Sequence, residues 1–582
     1  MLIIGHLYSY KLTTKERINL LIMGEFKPKL FTSLKNYTSK QFVRDVVAGI
    51  FVAIIAFPLS IALAISSGMR PEQGLYTAII GGFFVSFFGG SRVQIGGATA
   101  ATVTTVFTIV SKYDFEGLAI TSIMAGIILI IMGIFKVGLL LKYIPYSITL
   151  GFTAGIGFGI FTGQIKEFLG LDISSIPVQN LNRIIIYAKN ISTINLQTLL
   201  IGGIAIAILI IWPKLNNKIP NSLIAIIVTT LLVQLTGLKV NTIKSVYGNL
   251  PSNFPKPSLP SVSFELIEEL FPSAFTLALL VAIVSLLSCV VTDGMTGHKH
   301  NSNTELIGEG IANIFCGIFS AVPVAGAVAR SSTSVKNGGA TPIVGIVHSI
   351  FVCIILLVMM PLAGYIPMAT LAAILILVAY NMSNVKSIFS LIKTGPKSDS
   401  LVMLATFFTA IFINLMTAIE VGMILAALLF MKRMADVTEV AGWKYLDEDN
   451  DNEASETNDT DNISLKFVPE NTLVFEINGP MFFAASEKFT SMFFDEKAEV
   501  LIIRMRGVPA LDATALISLR KVFDKCKRYN VHLLFSHVNP QPMQVMTRSG
   551  FAHEVGLENF CPHIDDALAM AERIVTKKIE DI

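Results

Sequence analysis

The chain has 582 residues, 53% of them hydrophobic and only 15% charged. Soluble domains carry about 25% charged residues, so most of this chain belongs in lipid. A net charge of +3 is too small to argue for nucleic acid, and five scattered cysteines without a CxxC spacing indicate neither a disulfide framework nor a zinc site.

Residues 1–41 read as a cytoplasmic lead-in. Within it, residues 1–22 show a weak apolar patch without a cleavage site and are read as an artefact of start-site choice. Met23 opens a basic amphipathic stretch, MGEFKPKLFTSLKNYTSKQFVRD. The transmembrane domain is placed at 42–436, with about fourteen apolar segments near the ~20-residue span length. Their approximate cores are 46–66, 75–89, 98–111, 118–140, 147–165, 197–212, 221–237, 273–293, 306–320, 326–335, 342–360, 367–381, 400–415 and 419–434. Basic residues precede the first segment (Lys27, Lys29, Lys35, Lys40, Arg44), follow even-numbered ones and close the last (Lys432, Arg433). The positive-inside rule then puts both termini in the cytoplasm.

Two segments are too short to span. Residues 322–339, VPVAGAVARSSTSVKNGG, hold an arginine, a proline and four hydroxyl residues amid hydrophobic territory. An arginine at membrane depth costs about 2.5–3.5 kcal/mol even on the lenient scale, so Arg330 has no place on a lipid face. Pro323 suits a break followed by a new helix start. The stretch reads as a half-helix with its N-terminus in a cavity, and the natural guest beside an arginine there is an anion. Residues 91–105, SRVQIGGATAATVTT, have the same small, hydroxyl-rich character. Helix packing alone would account for either stretch taken singly. Seven segments separate the two, and the same interval separates Tyr143-Ile144-Pro145 from Tyr365-Ile366-Pro367. Seven is odd, so the second half must run opposite to the first, giving an inverted 7+7 repeat.

After Met434 the composition changes. Residues 437–462 read as an acidic linker, with LDEDNDNEASETNDTDN at 446–462. Residues 463–576 read as a soluble α/β module. LKFVPENTLVFEING is read as two strands, SEKFTSMFF as a helix and EVLIIRM as a buried strand. DATALISLRKVFDKCKRYN, VHLLFSHV and QPMQVMTRSG continue as helix, strand and helix, so a sheet covered by helices is expected.

From about Lys40 onward the chain resembles the sulfate permease (SulP) family of anion transporters. The resemblance rests on FPLSIALAISSG with PEQGLYTAIIGG, on residues 285–332, and on RMRGVPALDATALISL at 504–519, which is similar to the STAS signature. It implies core and gate domains working as an elevator in an inner-membrane homodimer, with sulfate as the family default. Bicarbonate or chloride exchange and dicarboxylate transport are the alternatives. The substrate would sit between Gly97, Ala98 and Thr99 at one helix end and Gly326, Ala327 and Val328 at the other, beside Arg330. Ser60, Ser285 and Ser288 would line it. Many bacterial members carry an acid on segment eight where this chain has Val284, which favours exchange or uncoupled passage over cation symport. Asn414 likewise stands where an Asp is expected. A nucleobase permease would need acids on segments eight and ten, which here are apolar or basic.

The remaining polar residues have plainer readings. Asp293, His298 and His300 lack a third ligand at fixed spacing, and no metal or cofactor is expected. His348 reads as a hydrogen-bonded core residue, and Glu420 and Glu305 as acids complementing helix starts. In the STAS module, Asp512 and Thr514 precede a helix, and the soluble relatives carry a phosphorylated hydroxyl in this loop, so Thr514 is a candidate regulatory site. No nucleophile–base pair or P-loop is present, so an enzyme is not expected. The module could dock a cytoplasmic protein partner, and a membrane-tethered sensor without flux is the rival class.

Overall fold

The computed structural model describes residues 26–139, 143–173, 177, 179–216, 219–261, 263–443, 466–482 and 498–580. The chain divides into two compact units, Met1–Met423 and Ile424–Ile582. Among the described residues, eight helices are long and apolar enough to cross a membrane.

In the first unit a short helical stretch at Lys29–Ser33 leads to α1 (Ser39–Ser66), capped by the Thr38 side chain, which accepts from the Gln41 backbone amide. Then come α2 (Pro71–Tyr76), a π-helical turn and α3 (Gly82–Phe88). The third and fourth segments expected from sequence fuse into α4 (Val103–Ile134), broken at Asp114 with φ 53°. α5 (Tyr146–Leu169), α6 (Asn180–Lys189), α7 (Leu196–Leu215) and α8 (Asn221–Thr236) complete the first half. The second contains α9 (Phe264–Thr296), α10 (Ser302–Ile318), α11 (Val328–Lys336), α12 (Ile343–Ala363), α13 (Met368–Ser383), α14 (Val385–Thr394), α15 (Lys397–Phe412) and α16 (Leu415–Val437). Each segment read from sequence falls on a helix. The amphipathic α6 and α14 were not read, because each is shorter than a span and carries charge.

Both Tyr-Ile-Pro motifs do the same job. Pro145 and Pro367 are the residues at which α5 and α13 start. Between α4 and α10 the backbones touch: a β-carbon on Gly126 would lie 2.5 Å from the Gly310 carbonyl oxygen, and one on Gly310 would lie 2.6 Å from that of Gly126. With lipid outside as apolar as the protein, such close packing is what holds membrane helices together.

A buried carboxylate ties the start of the unit to its second half. Asp45 of α1 accepts from the Tyr37 hydroxyl at 2.9 Å and the Gln41 side-chain amide at 2.9 Å. It also accepts from the Ala340 backbone at 3.0 Å and the Thr341 hydroxyl at 2.6 Å, just beyond α11. Four donors offset the cost of burying that charge.

The second unit holds a sheet of β3 (Glu439–Trp443), β4 (Thr472–Asn478), β5 (Val500–Gly507), β6 (His532–Ser536) and β7 (Phe560–Cys561), hydrogen-bonded in that order. β3 runs antiparallel to β4, and the other neighbours are parallel. Alternate residues of β5 feed opposite cores. Leu501 and Ile503 pack with Leu516 and Leu519 of α17 (Ala513–Arg528), while Val500 and Ile502 pack with Ala567 and Ala571 of the last helix, Ile564–Glu580.

Two expectations are corrected here. The linker does not begin at 437, because Glu439–Trp443 is the edge strand of this sheet. The first of the two strands read in LKFVPENTLVFEING does not form over 466–468; β3 takes the place beside β4 that it would need. The rest of the linker and the helix read at SEKFTSMFF lie outside the described residues.

Candidate functional site

Two short strands bring the halves of the first unit together. β1 (Gly96–Gly97) pairs antiparallel with β2 (Ala325–Gly326), Gly96 opposite Gly326 and Gly97 opposite Ala325. After β1, Thr99 leads into a 3-10 turn, Ala100–Thr102, and then α4. After β2, Ala327 is the cap of α11. Both helices therefore start within a few residues of the strand pair. The first amides of a helix lack intrahelical partners, and each N-terminus carries about half a positive charge. Of the residues expected around the substrate, Gly97 and Gly326 lie in the strand pair, Ala98 and Thr99 lead into the turn before α4, and Ala327 and Val328 cap and open α11. The open edge is the first turn of α11, where Ala329 is exposed and Ala327 and Val328 are half-buried.

Arg330 reaches from α11 back to the other half. It is 1% exposed. Its Nη2 donates to the Ser60 hydroxyl at 3.0 Å and the Ala98 carbonyl at 3.3 Å, and its Nη1 to the Gly96 carbonyl at 3.4 Å. The Nε–H has no partner among the described residues. Gly97 must be glycine, because any β-carbon there would overlap the guanidinium. Three neutral oxygens and no carboxylate hold this cation, so its charge is left uncompensated by the groups it touches.

Beneath it lies a network the sequence did not announce. The buried Gln94 donates to the Ser285 carbonyl at 3.1 Å and accepts from the hydroxyls of Ser288 at 2.8 Å and Ser331 at 3.3 Å. Ser331 in turn accepts from the Ile95 amide, and the Ser285 hydroxyl accepts from the Gly326 amide at 2.9 Å. Ser285 and Ser288 are fully buried. They were expected as lining hydroxyls, but here they fasten the strand pair to α9. Two parts of this network could have been sought in sequence: a glutamine amid small residues, and a hydroxyl directly after Arg330.

Glu305 accepts from the amides of Gly90 at 2.6 Å and Ser91 at 2.8 Å, so it fixes the loop before β1 as well as standing in the first turn of α10. Asp293 accepts from the His300 ring at 2.7 Å and its amide at 3.0 Å at the end of α9. Val284 is partly buried against the main apolar cluster. Two plainer readings are corrected. His348 is buried, but neither ring nitrogen finds a hydrogen-bond partner among the described residues. Glu420 stands beyond the first turn of α16, too far in to act as its capping acid. It helps line a cavity of about 470 Å³ with Thr104, Thr105, Thr108, Thr276 and Thr417. Asn414 accepts from the Thr417 amide at 2.8 Å and caps α16.

In the second unit Asp512 caps α17, accepting from the Ala515 amide at 2.8 Å. Thr514, two residues on, is exposed beside that cap.

Comparison with known proteins bears on this geometry. The profile of the sulfate permease family matches residues 42–406, and that of the STAS domain residues 462–567. YvdB of Bacillus subtilis, named provisionally as a sulfate transporter, is 34% identical over 536 residues, 91% of this chain and 98% of its own. The bicarbonate transporter BicA of Picosynechococcus sp. is 28% identical over 501 residues, 83% of this chain and 86% of its own. Among solved structures, the murine Slc26a9 anion transporter in the inward-facing state superposes with a TM-score of 0.82 over 98% of each chain at 18% identity, a likeness of fold. The transmembrane domain of a cyanobacterial BicA does so with 0.57 over 67% of this chain and 98% of its own, at 26% identity.

Proposed function

Because the chain belongs to the sulfate permease family, we propose that it is a secondary transporter of small inorganic anions, with sulfate the first candidate. One observation carries this reading: two helix starts and the carboxylate-free Arg330 meet at the β1–β2 pair. Two half-charges and a guanidinium amount to about two positive charges, which suits a dianion. Bicarbonate is the second candidate, supported by the likeness to BicA.

The strand pair and Arg330 bind both half-helices into one piece, which supports an elevator-type movement of the site as a body against the remaining helices. Val284 removes a carboxylate from α9, and this supports anion exchange or passage without sodium. The distribution of basic residues supports a plasma-membrane protein with cytoplasmic termini, and the family likeness a homodimer. The STAS unit, with Thr514 exposed at a helix start, is the surface for a cytoplasmic partner.

The experiment is uptake of labelled sulfate, bicarbonate and chloride into proteoliposomes, for wild type and Arg330→Ala. Saturable uptake of one anion that collapses in the variant supports the reading. A folded dimer passing no anion overturns it in favour of a membrane-tethered sensor.

A further inference from the structure

A polar cavity of about 580 Å³ opens at the end of the first unit that the basic residues make cytoplasmic. Three stretches wall it: Lys29 before α1, Lys136 and Leu139 just beyond α4, and His300, Ser302 and Asn303 at the start of α10. The last two stretches are packed tightly. A β-carbon on Gly133 would lie 2.8 Å from the Asn303 carbonyl oxygen, and one on Gly138 would lie 2.9 Å from Asn303 Oδ1. The Lys29 amide donates to the Gly89 carbonyl at 3.0 Å and the Asn301 amide to that of Gly90 at 2.9 Å, so these walls also hold the loop before β1.

The cavity is positive. Among the described residues no acid lines it. Lys29 is half-buried, and its ammonium has no ion pair or hydrogen bond among the described residues. It gives up part of its water without a partner in return, a loss that a bound anion would restore. Lys136 adds a second ammonium at the exposed rim. His300 is engaged elsewhere, its two ring nitrogens meeting Asp293 at 2.7 Å and the Ser302 hydroxyl at 3.0 Å, so the lysines set the charge. What surrounds them decides which anion arrives. Ile134, Phe135 and Leu139, beside Lys136, are 41%, 76% and 50% exposed. Bulky apolar side chains left bare at the end of a membrane helix belong among acyl chains, which puts the cavity at headgroup depth. A free phosphate would leave that rim uncovered, whereas a phospholipid covers it with its chains.

From this geometry we infer that the cavity is a binding site for an anionic phospholipid of the cytoplasmic leaflet, its phosphate between Lys29 and Lys136 and its chains against Phe135 and Leu139. The bound headgroup ties the end of α4 to the start of α10 and, through Gly89 and Gly90, braces the loop that leads into β1. The inference stands apart from the anion-transport reading, because lipid retention is measured without flux.

The test is native mass spectrometry of the purified full-length protein in detergent, supplied with phosphatidylglycerol, phosphatidylcholine or glycerol phosphate. Wild type retains phosphatidylglycerol about tenfold more than phosphatidylcholine, and glycerol phosphate does not displace it. The double variant Lys29→Gln with Lys136→Asn loses that preference; asparagine suits the φ of 62° at position 136. Phosphatidylglycerol also raises the melting temperature of wild type and leaves that of the double variant unmoved. Lys386→Gln with Lys393→Gln, which removes the same charge from α14, keeps the preference. Lys29→Gln alone lowers it about threefold and serves if the double variant does not fold. An undiminished preference in the Lys29 variants, an equal loss in the α14 variant, or no preference in wild type overturns the proposal. Displacement by glycerol phosphate overturns the lipid as the occupant.

Discussion

A β-carbon built on Gly97 would lie 1.4 Å from Nη1 of Arg330, so the two residues share one volume. The guanidinium occupies the space that any other side chain at 97 would need. Gly97→Ala therefore expels it and is expected to cost as much transport as Arg330→Ala, at least tenfold, with the protein still reaching the membrane. Arg330→Lys should also lose activity, because one ammonium cannot span Ser60, Gly96 and Ala98 as the planar fork does. Uptake assays normalised to membrane abundance check both.

Gln94 makes its predictions through what it leaves behind. Gln94→Ala removes the oxygen that both the Ser288 and Ser331 hydroxyls donate to, and each buried donor left unsatisfied costs about 1–3 kcal/mol. A lower melting temperature and weaker anion binding are expected together. Gln94→Glu keeps the shape and adds a negative charge, so it should weaken binding more than it weakens the fold. Calorimetry beside a binding titration separates the two.

The contact of Gly126 with Gly310 leaves no room for a methyl group on either side. Gly126→Val and Gly310→Val should each part α4 from α10 and lower the yield of monodisperse protein severely. Gly203, which has nothing within 4 Å of its β-carbon position, should tolerate valine. Fluorescence size-exclusion profiles of the three variants test this.

In the STAS unit, burial pushes the Cys526 thiol up to about 12. The folded chain keeps that proton while an unfolded chain loses it above about pH 8.5, so the unfolded state binds fewer protons. Stability contributed by the neutral thiol is full below that pH and declines as pH rises from about 9 toward 12. Cys526 should escape alkylation at pH 8 in the native protein and react once the protein is denatured, as read by mass spectrometry.

Thr514 offers a charge test. It is exposed in the first turn of α17, where a negative group gains about 0.3–1 kcal/mol from the helix start. Thr514→Glu should leave the STAS unit folded and raise its melting midpoint by up to a few degrees. A change in transport rate without a change in anion affinity would mark the position as regulatory; an unaltered rate would remove that role.

Hydropathy and small-residue patches made the helices and both half-helices legible, because span length and the cost of an intramembrane arginine are properties of local sequence. The strand pairing at Gly96 and Gly326 was not legible, nor was the Gln94 network, whose Ser288 partner lies 194 residues away. Glu439–Trp443 read as linker because a five-residue edge strand between a helix and an acidic tract has no pattern long enough to stand out.

Asp45 has a consequence for how the protein is made. Its Ala340 and Thr341 partners lie 295 and 296 residues downstream, so they do not exist when α1 leaves the ribosome. Until then Tyr37 and Gln41, within eight residues, are what shield the carboxylate. α1 must wait in the bilayer with its charge half-covered until the chain through α11 has been made, and the closing of that gap by Ala340 and Thr341 marks the moment the two halves lock.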